Sequence, residues 1–164
     1  MTTESAEIRP RTAARLCAVQ ALYQIEIRGG AAESTIAEFL EHRLGEPIGG
    51  IDYSNTDIAM FGRLVRGVCC NCAQLDSLIA GALTEEWKVA RLNHLLRVAL
   101  RAGAYELLHA PDVPLRVVIN EYVDIAHGFF EGREPGLLNG ILDRLGHLLR
   151  TAEQEQQGER ADTP

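Results

Sequence analysis

Residues 111–130 read "PDVPLRVVINEYVDIAHGFF", and this stretch decides the fold class. Two prolines bracket Asp112-Val113 and mark a break between elements. Beyond Pro114 the apolar residues Leu115, Val118, Ile119, Tyr122, Ile125, Ala126 and Phe129 return every three or four positions. That spacing predicts a helix from Leu115 to about Phe129 with one wide, buried stripe. Asn120 and Glu121 interrupt the run, and a polar pair amid apolar neighbours either does chemistry or holds elements together.

Working outward, the same repeat governs almost every apolar segment and no strand-like alternation persists, so the expected fold is all-α. Punctuation places the helices. The first runs from Pro10 or Arg11 to Arg28 and stops at Gly29-Gly30; the second spans about Ala32 to Leu44, before the Gly- and Pro-rich "GEPIGGIDYS". Ser54 or Asn55 is expected to cap a long helix reaching about Leu83, in which Gly62, Gly67 and Gly81 allow close packing. Short turns over Thr84 to Val89 lead to a helix from Arg91 to His109, and a last helix runs from about Glu134 to Arg150. Its stripe is Leu138, Ile141, Leu142, Leu145, Leu148 and Leu149. The first helix carries two stripes, Ala14-Cys17-Ala18-Ala21-Ile25 and, nearly opposite, Leu16-Val19-Tyr23-Ile27. Either it is sandwiched centrally, or one side meets a partner.

A chain of 164 residues with 46% hydrophobic content can bury a core without disulfides. No window has the roughly 18 apolar residues of a membrane span, and Met1 to Pro10 carries two glutamates where a secretory signal would be basic and apolar. The expectation is a cytoplasmic protein with no membrane association. Cys69, Cys70 and Cys72 lack the second Cys pair or nearby His of a four-ligand site, so no metal is expected and the cysteines read as small packing residues. The net charge of −7 argues against a coat of basic residues. The tail 151–164, with four acids against one Arg, accounts for −3 and leaves −4 for residues 1–150. Between Ile8 and Ile25 the only charged residues are Arg9, Arg11 and Arg15, a basic spot on an acidic chain.

Catalysis finds little footing. The five histidines lie apart, at 42, 94, 109, 127 and 147, and no phosphate-loop, dinucleotide-binding or nucleophile-elbow motif occurs. No catalytic residue, cofactor or small-molecule substrate is expected.

"CAVQALYQIE" in the first helix, "LRVALRAGAYELLHAPDVPLRVVINEYVDIAH" across the middle and "LLNGILDRL" near the end occur in that order between Arg9 and Leu149. In these blocks the chain resembles the NusB family of bacterial transcription antitermination factors. The middle block, R-x-x-Y-E-L followed by D-V-P and I-N-E, is highly specific. The resemblance implies two packed helical subdomains, about 9–83 and 84–150, comprising about seven helices and followed by a disordered acidic tail over 151–164. It implies binding rather than catalysis: boxA-like nascent RNA, the ribosomal protein NusE and the antitermination complex on RNA polymerase.

The family grips RNA largely through an arginine-rich start to its first helix, which assigns RNA contact to Arg9, Arg11, Thr12 and Arg15, with Gly136 and Leu137 as a second contact before "LLNG". Typical members carry arginines where this chain has Thr12 and Ala13, and a basic residue and a Phe where it has Gly136 and Leu137. Tyr23 matches a family tyrosine near the protein partner, and Glu85, Glu86, Glu131 and Glu134 are candidate acids for a basic partner; Leu96 and Arg133 stand where well-studied members carry acids. Asn120 and Glu121 are expected to be structural, in one polar network with Arg97, Arg101 and Glu106. Two alternatives stand beside the RNA adapter: a divergent paralogue acting only as a protein scaffold, and an RNA-binding module related to RNA methyltransferases. In the latter case this chain would supply only the non-catalytic part.

Overall fold

The computed structural model describes residues 6–44, 50–84 and 88–161, with side chains over 7–44, 50–84 and 88–151. Seven α-helices follow one another: α1 (Pro10–Arg28), α2 (Ala32–His42), α3 (Ile58–Cys70), α4 (Cys72–Ala82), α5 (His94–His109), α6 (Leu115–Phe129) and α7 (Glu134–Ala161). A 3-10 turn, Val89–Arg91, leads into α5. Two-residue strands, β1 (Ala6–Glu7) and β2 (Ile51–Asp52), pair in parallel as a small clasp outside the helical core. None of the described helices is long and apolar enough to cross a membrane.

The first helix and the one opened by Pro114 have the bounds their punctuation predicts. Pro10 occupies the first turn of α1, where its missing N–H costs nothing, and Gly29 ends it at φ 75°. The expected long helix from Ser54 to Leu83 is two: α3 begins after Asp57, whose carboxylate accepts the Met60 N–H at 3.0 Å, and ends at Asn71. The Asn71 side chain donates to the Gly67 carbonyl at 2.7 Å, beside the bond from its own backbone N–H at 3.1 Å, and α4 starts at the next residue. Likewise α5 starts three residues later than expected, at His94, because Asn93 caps the Leu95 N–H at 2.9 Å. The last helix continues past Arg150 to Ala161, and the expected acidic tail falls on residues whose side chains lie outside the described set.

Helix α5 is the axis of the fold. Eleven of its residues are buried, around its whole circumference, so it is enclosed rather than amphipathic. Helices α1 and α3 pack against it from one side, and α4, α6 and α7 from the other. Small residues make this enclosure possible: a Cβ on Gly103 would lie 2.9 Å from Leu142 Cδ1, and one on Gly67 in α3 would lie 2.1 Å from the Tyr105 ring. Of the other two glycines expected to favour close packing, Gly62 faces only the flexible Arg66 side chain and Gly81 faces open space.

The apolar stripes outrun the core at their ends. Phe129 is 42% exposed and Leu148 63%, because the last turns of their stripes extend beyond the helices that cover them. On α1 the two stripes differ along its length. Ala14, Cys17, Ala18 and Val19 are enclosed, whereas Tyr23 and Ile27 are 39% and 52% exposed. Cys69 and Cys70 are exposed rather than packed, since α3 turns them outward at its last turn, whereas Cys17 is a buried core thiol.

Candidate nucleic-acid interface

The start of α1 has no side-chain cap and no acid in its first turn. Helix geometry leaves the N–H groups of Arg11 and Thr12 without intrahelical acceptors, and the positive end of the helix dipole points the same way. The stretch 112–114 that precedes α6 forms the facing wall. Arg9, Arg11, Thr12, Asp112, Pro114 and Glu121 line the hollow between them. Arg9 and Arg11 are exposed, and neither side chain makes a hydrogen bond or ion pair among the described residues. Two exposed forked cations thus stand at a helix start whose dipole favours a phosphate.

Arg15 corrects the sequence reading. It points inward, is 2% exposed and grips Glu106, itself 2% exposed. Nε donates to Glu106 Oε1 at 3.1 Å and Oε2 at 2.9 Å, and Nη2 makes a further close contact with Oε1. Its remaining nitrogen lies 3.7 Å from Glu121 Oε2. Burial works against the arginine's charge, but Glu106 outweighs it and raises the pKa above the ordinary value. Tyr122, wholly buried beside this pair, has its hydroxyl pushed well up by burial and by the negative Glu106. Thr12 is half-buried and donates to Glu121 Oε1 at 3.1 Å, while Ala13 has no exposed surface. The latter could not become an RNA-facing arginine without disrupting the core.

The expected single polar network is in fact two. Glu106 and Glu121 belong to Arg15. Arg97 and Arg101, one turn apart on α5, instead clamp Glu26 of α1, with Arg101 Nη1 3.1 Å from Oε2. Arg101 also holds Asp76 of α4 through two bonds of 2.7 and 2.8 Å. Burial would raise the Glu26 carboxyl, but the Arg97 hydrogen bond and the Arg101 charge hold it below the ordinary range. Asn120 belongs to neither network. It is exposed and makes no side-chain hydrogen bond among the described residues, because it shares the outer face of α6 with Arg116, Val117 and Asp124.

Gly136 and Leu137 lie elsewhere, in the first turn of α7. Leu137 lines a separate hollow with Arg91, Asn93, Leu96, Arg133 and Glu134, so the structure does not bring it together with Arg9 and Arg11 in one hollow. Two exposed arginines stand around it, and sequence reading had assigned them no RNA role. Tyr23 opens into a third, largely apolar groove with Ile27, Phe39, Leu95 and Phe129. Glu131 is exposed and Glu134 half-exposed, the latter in the Leu137 hollow. Glu85 and Glu86 lie outside the described residues. Among the described residues no three His, Cys, Asp or Glu side chains converge as a metal site.

Comparison with known proteins gives one consistent answer. The model of the NusB family matches residues 12–147. The transcription antitermination protein NusB of Caulobacter vibrioides is 49% identical over 143 residues, covering 87% of this chain and 96% of that protein. The solved structure of T. maritima NusB superposes with a TM-score of 0.69 at 31% identity, covering 85% of this chain and 93% of the other. A crystal structure of antitermination factors NusB and NusE in complex with double-stranded RNA shares the fold, with a TM-score of 0.70 at 22% identity over 84% of this chain and 96% of that one.

Proposed function

From the premise that this chain belongs to the NusB family, we propose that it is a transcription antitermination factor binding boxA-like nascent RNA together with the ribosomal protein NusE. It acts in the cytoplasm as a non-catalytic adapter of the RNA polymerase antitermination complex, with no small-molecule substrate. The observation that carries this reading is the pair Arg9 and Arg11 at the uncapped start of α1. Six other arginines, at 15, 66, 97, 101, 144 and 150, are engaged by carboxylates or carbonyls. These two are free among the described residues and stand where the helix end adds to their charge. Asp112 in the same hollow offsets part of it, so RNA binding by the isolated protein is weak and is strengthened by a basic partner.

The protein partner fits the groove around Tyr23. It is apolar and open, with aromatic rings from α1, α2 and α6 along it, the composition of an interface core. Glu131 and Glu134 supply acid on the segment after α6.

The test is a titration of the protein with single-stranded boxA-like RNA over a salt series, with and without NusE. Two phosphate contacts predict a slope of roughly −1.4 in log K against log salt. Arg9→Ala with Arg11→Ala should remove most of that slope and leave thermal unfolding unchanged. A wild type with no salt-sensitive binding even beside its partner would replace the adapter with a protein-only scaffold.

A further inference from the structure

Arg11 lies on a ridge between two hollows. One is the α1–α6 hollow described above; the other lies between the start of α1, the middle of α3 and the end of α5, and is lined by Arg11, Arg63, Tyr105, His109 and Asp112. Resting on the RNA-binding reading, we propose that this second hollow takes one further unpaired nucleotide, its phosphate held by Arg11 and Arg63 and its base stacked on the His109–Tyr105 pair.

Four features converge there. Arg63 is exposed and, like Arg11, has no hydrogen bond or ion pair among the described residues. The carboxylate in the floor, Glu106, is buried and fully occupied by Arg15, so it presents no free charge to an incoming phosphate. A cation also stands just beyond the C-terminus of α5. Arg150 of α7 donates to the carbonyls of Ala110, Pro111 and Val113 at 3.4, 2.5 and 2.9 Å. Finally, the rings of Tyr105 and His109 stand one helical turn apart with centroids 4.4 Å from each other and planes tilted by 35°. Tyr105 is pinned on its other side by the absent Cβ of Gly67, whereas His109 is exposed and offers the free aromatic face that an unpaired base needs. Cations beside a fixed aromatic platform are the combination by which proteins hold single-stranded RNA.

The experiment compares wild type, Arg63→Ala, His109→Ala and, as reference, Arg9→Ala. Fluorescence-anisotropy titrations use single-stranded boxA-like RNA at pH 8 with NusE present. Arg63→Ala should weaken binding and flatten the salt slope by roughly 0.7. His109→Ala should weaken it roughly tenfold with the slope unchanged, and His109→Phe should restore it. Melting temperatures should match wild type, since both side chains are exposed. If Arg9→Ala weakens binding while Arg63→Ala and His109→Ala bind as wild type does, this subsite is wrong and the helix-start reading stands. If wild type shows no salt-dependent binding, both fall together.

Discussion

Arg15 offers the sharpest test, because the sequence and the structure give it opposite jobs. As an RNA contact it would be dispensable for folding; as the cationic partner of buried Glu106 it is not. Replacement by Leu keeps the stem volume but strips Glu106 of three close contacts, leaving a carboxylate 2% exposed without its cationic partner. Orphaning one member of a buried pair typically costs 3–5 kcal/mol. Against a total stability of roughly 5–15 kcal/mol, the urea midpoint at pH 7 should fall by about 2 M. Arg15→Leu with Glu106→Leu should regain most of the loss, since a buried ion pair exchanged for apolar side chains is close to neutral. If instead Arg15→Leu stays within about 1 kcal/mol of wild type and flattens the salt dependence of RNA binding, the arginine faces RNA and the inward assignment is refuted.

Glu26→Gln should cost about 2 kcal/mol at pH 7 by loosening Arg97 and Arg101. The folded carboxyl lies below its ordinary 4.5, so its contribution is present above that value and lost as the pH falls through the lower folded one. Urea titrations of wild type and variant should therefore converge in acid, and parallel curves would count against the clamp. Gly67→Ala should cost roughly 1–3 kcal/mol, because its methyl would meet the Tyr105 ring at 2.1 Å; an unchanged melting temperature would mean that α3 and α5 are not so closely packed. Cys17, with its thiol pushed up to about 12 by burial, should resist a disulfide reagent at pH 8 until the protein unfolds. Exposed Cys69 and Cys70 should react in the native state, and fast labelling of Cys17 would contradict the α1 packing.

What could be read in the sequence is what is decided locally. Pro10, Gly29 and Pro114 fix helix ends through backbone geometry alone, and α1 and α6 have the predicted bounds. The break at Asn71 carries no such mark. It lies within Cys-Cys-Asn-Cys, and the Asn71 side chain ends the helix by bonding the carbonyl four residues back, a choice that the packing of α4 on α5 and α7 rewards. The two polar networks were hidden for a related reason. Arg97 and Arg101 find their acids on α1 and α4, 71 and 25 positions away, distances that no periodicity spans.

The candidate site was half legible, and the half that was missed obeys a rule the sequence already contained. Arg15 lies four residues before Val19 and seven before Leu22, on a face that is buried, whereas Arg11 lies at the open end of the helix, beyond the elements that cover Arg15. Glu121 follows Val118 by three and precedes Ile125 by four, so it flanks the buried stripe of α6; Asn120 falls on the outer face with Arg116 and Asp124. Helical phase therefore separates both pairs of neighbours into an inward, structural member and an outward, available one. Family resemblance assigns a role to a position in a motif, but the phase of that position against the core decides whether its charge can leave the protein. On this argument Arg9, Arg11 and Arg63 are exposed because their phase and place lie beyond the covering elements, while the inward Arg15 ties α1 to α5 through Glu106.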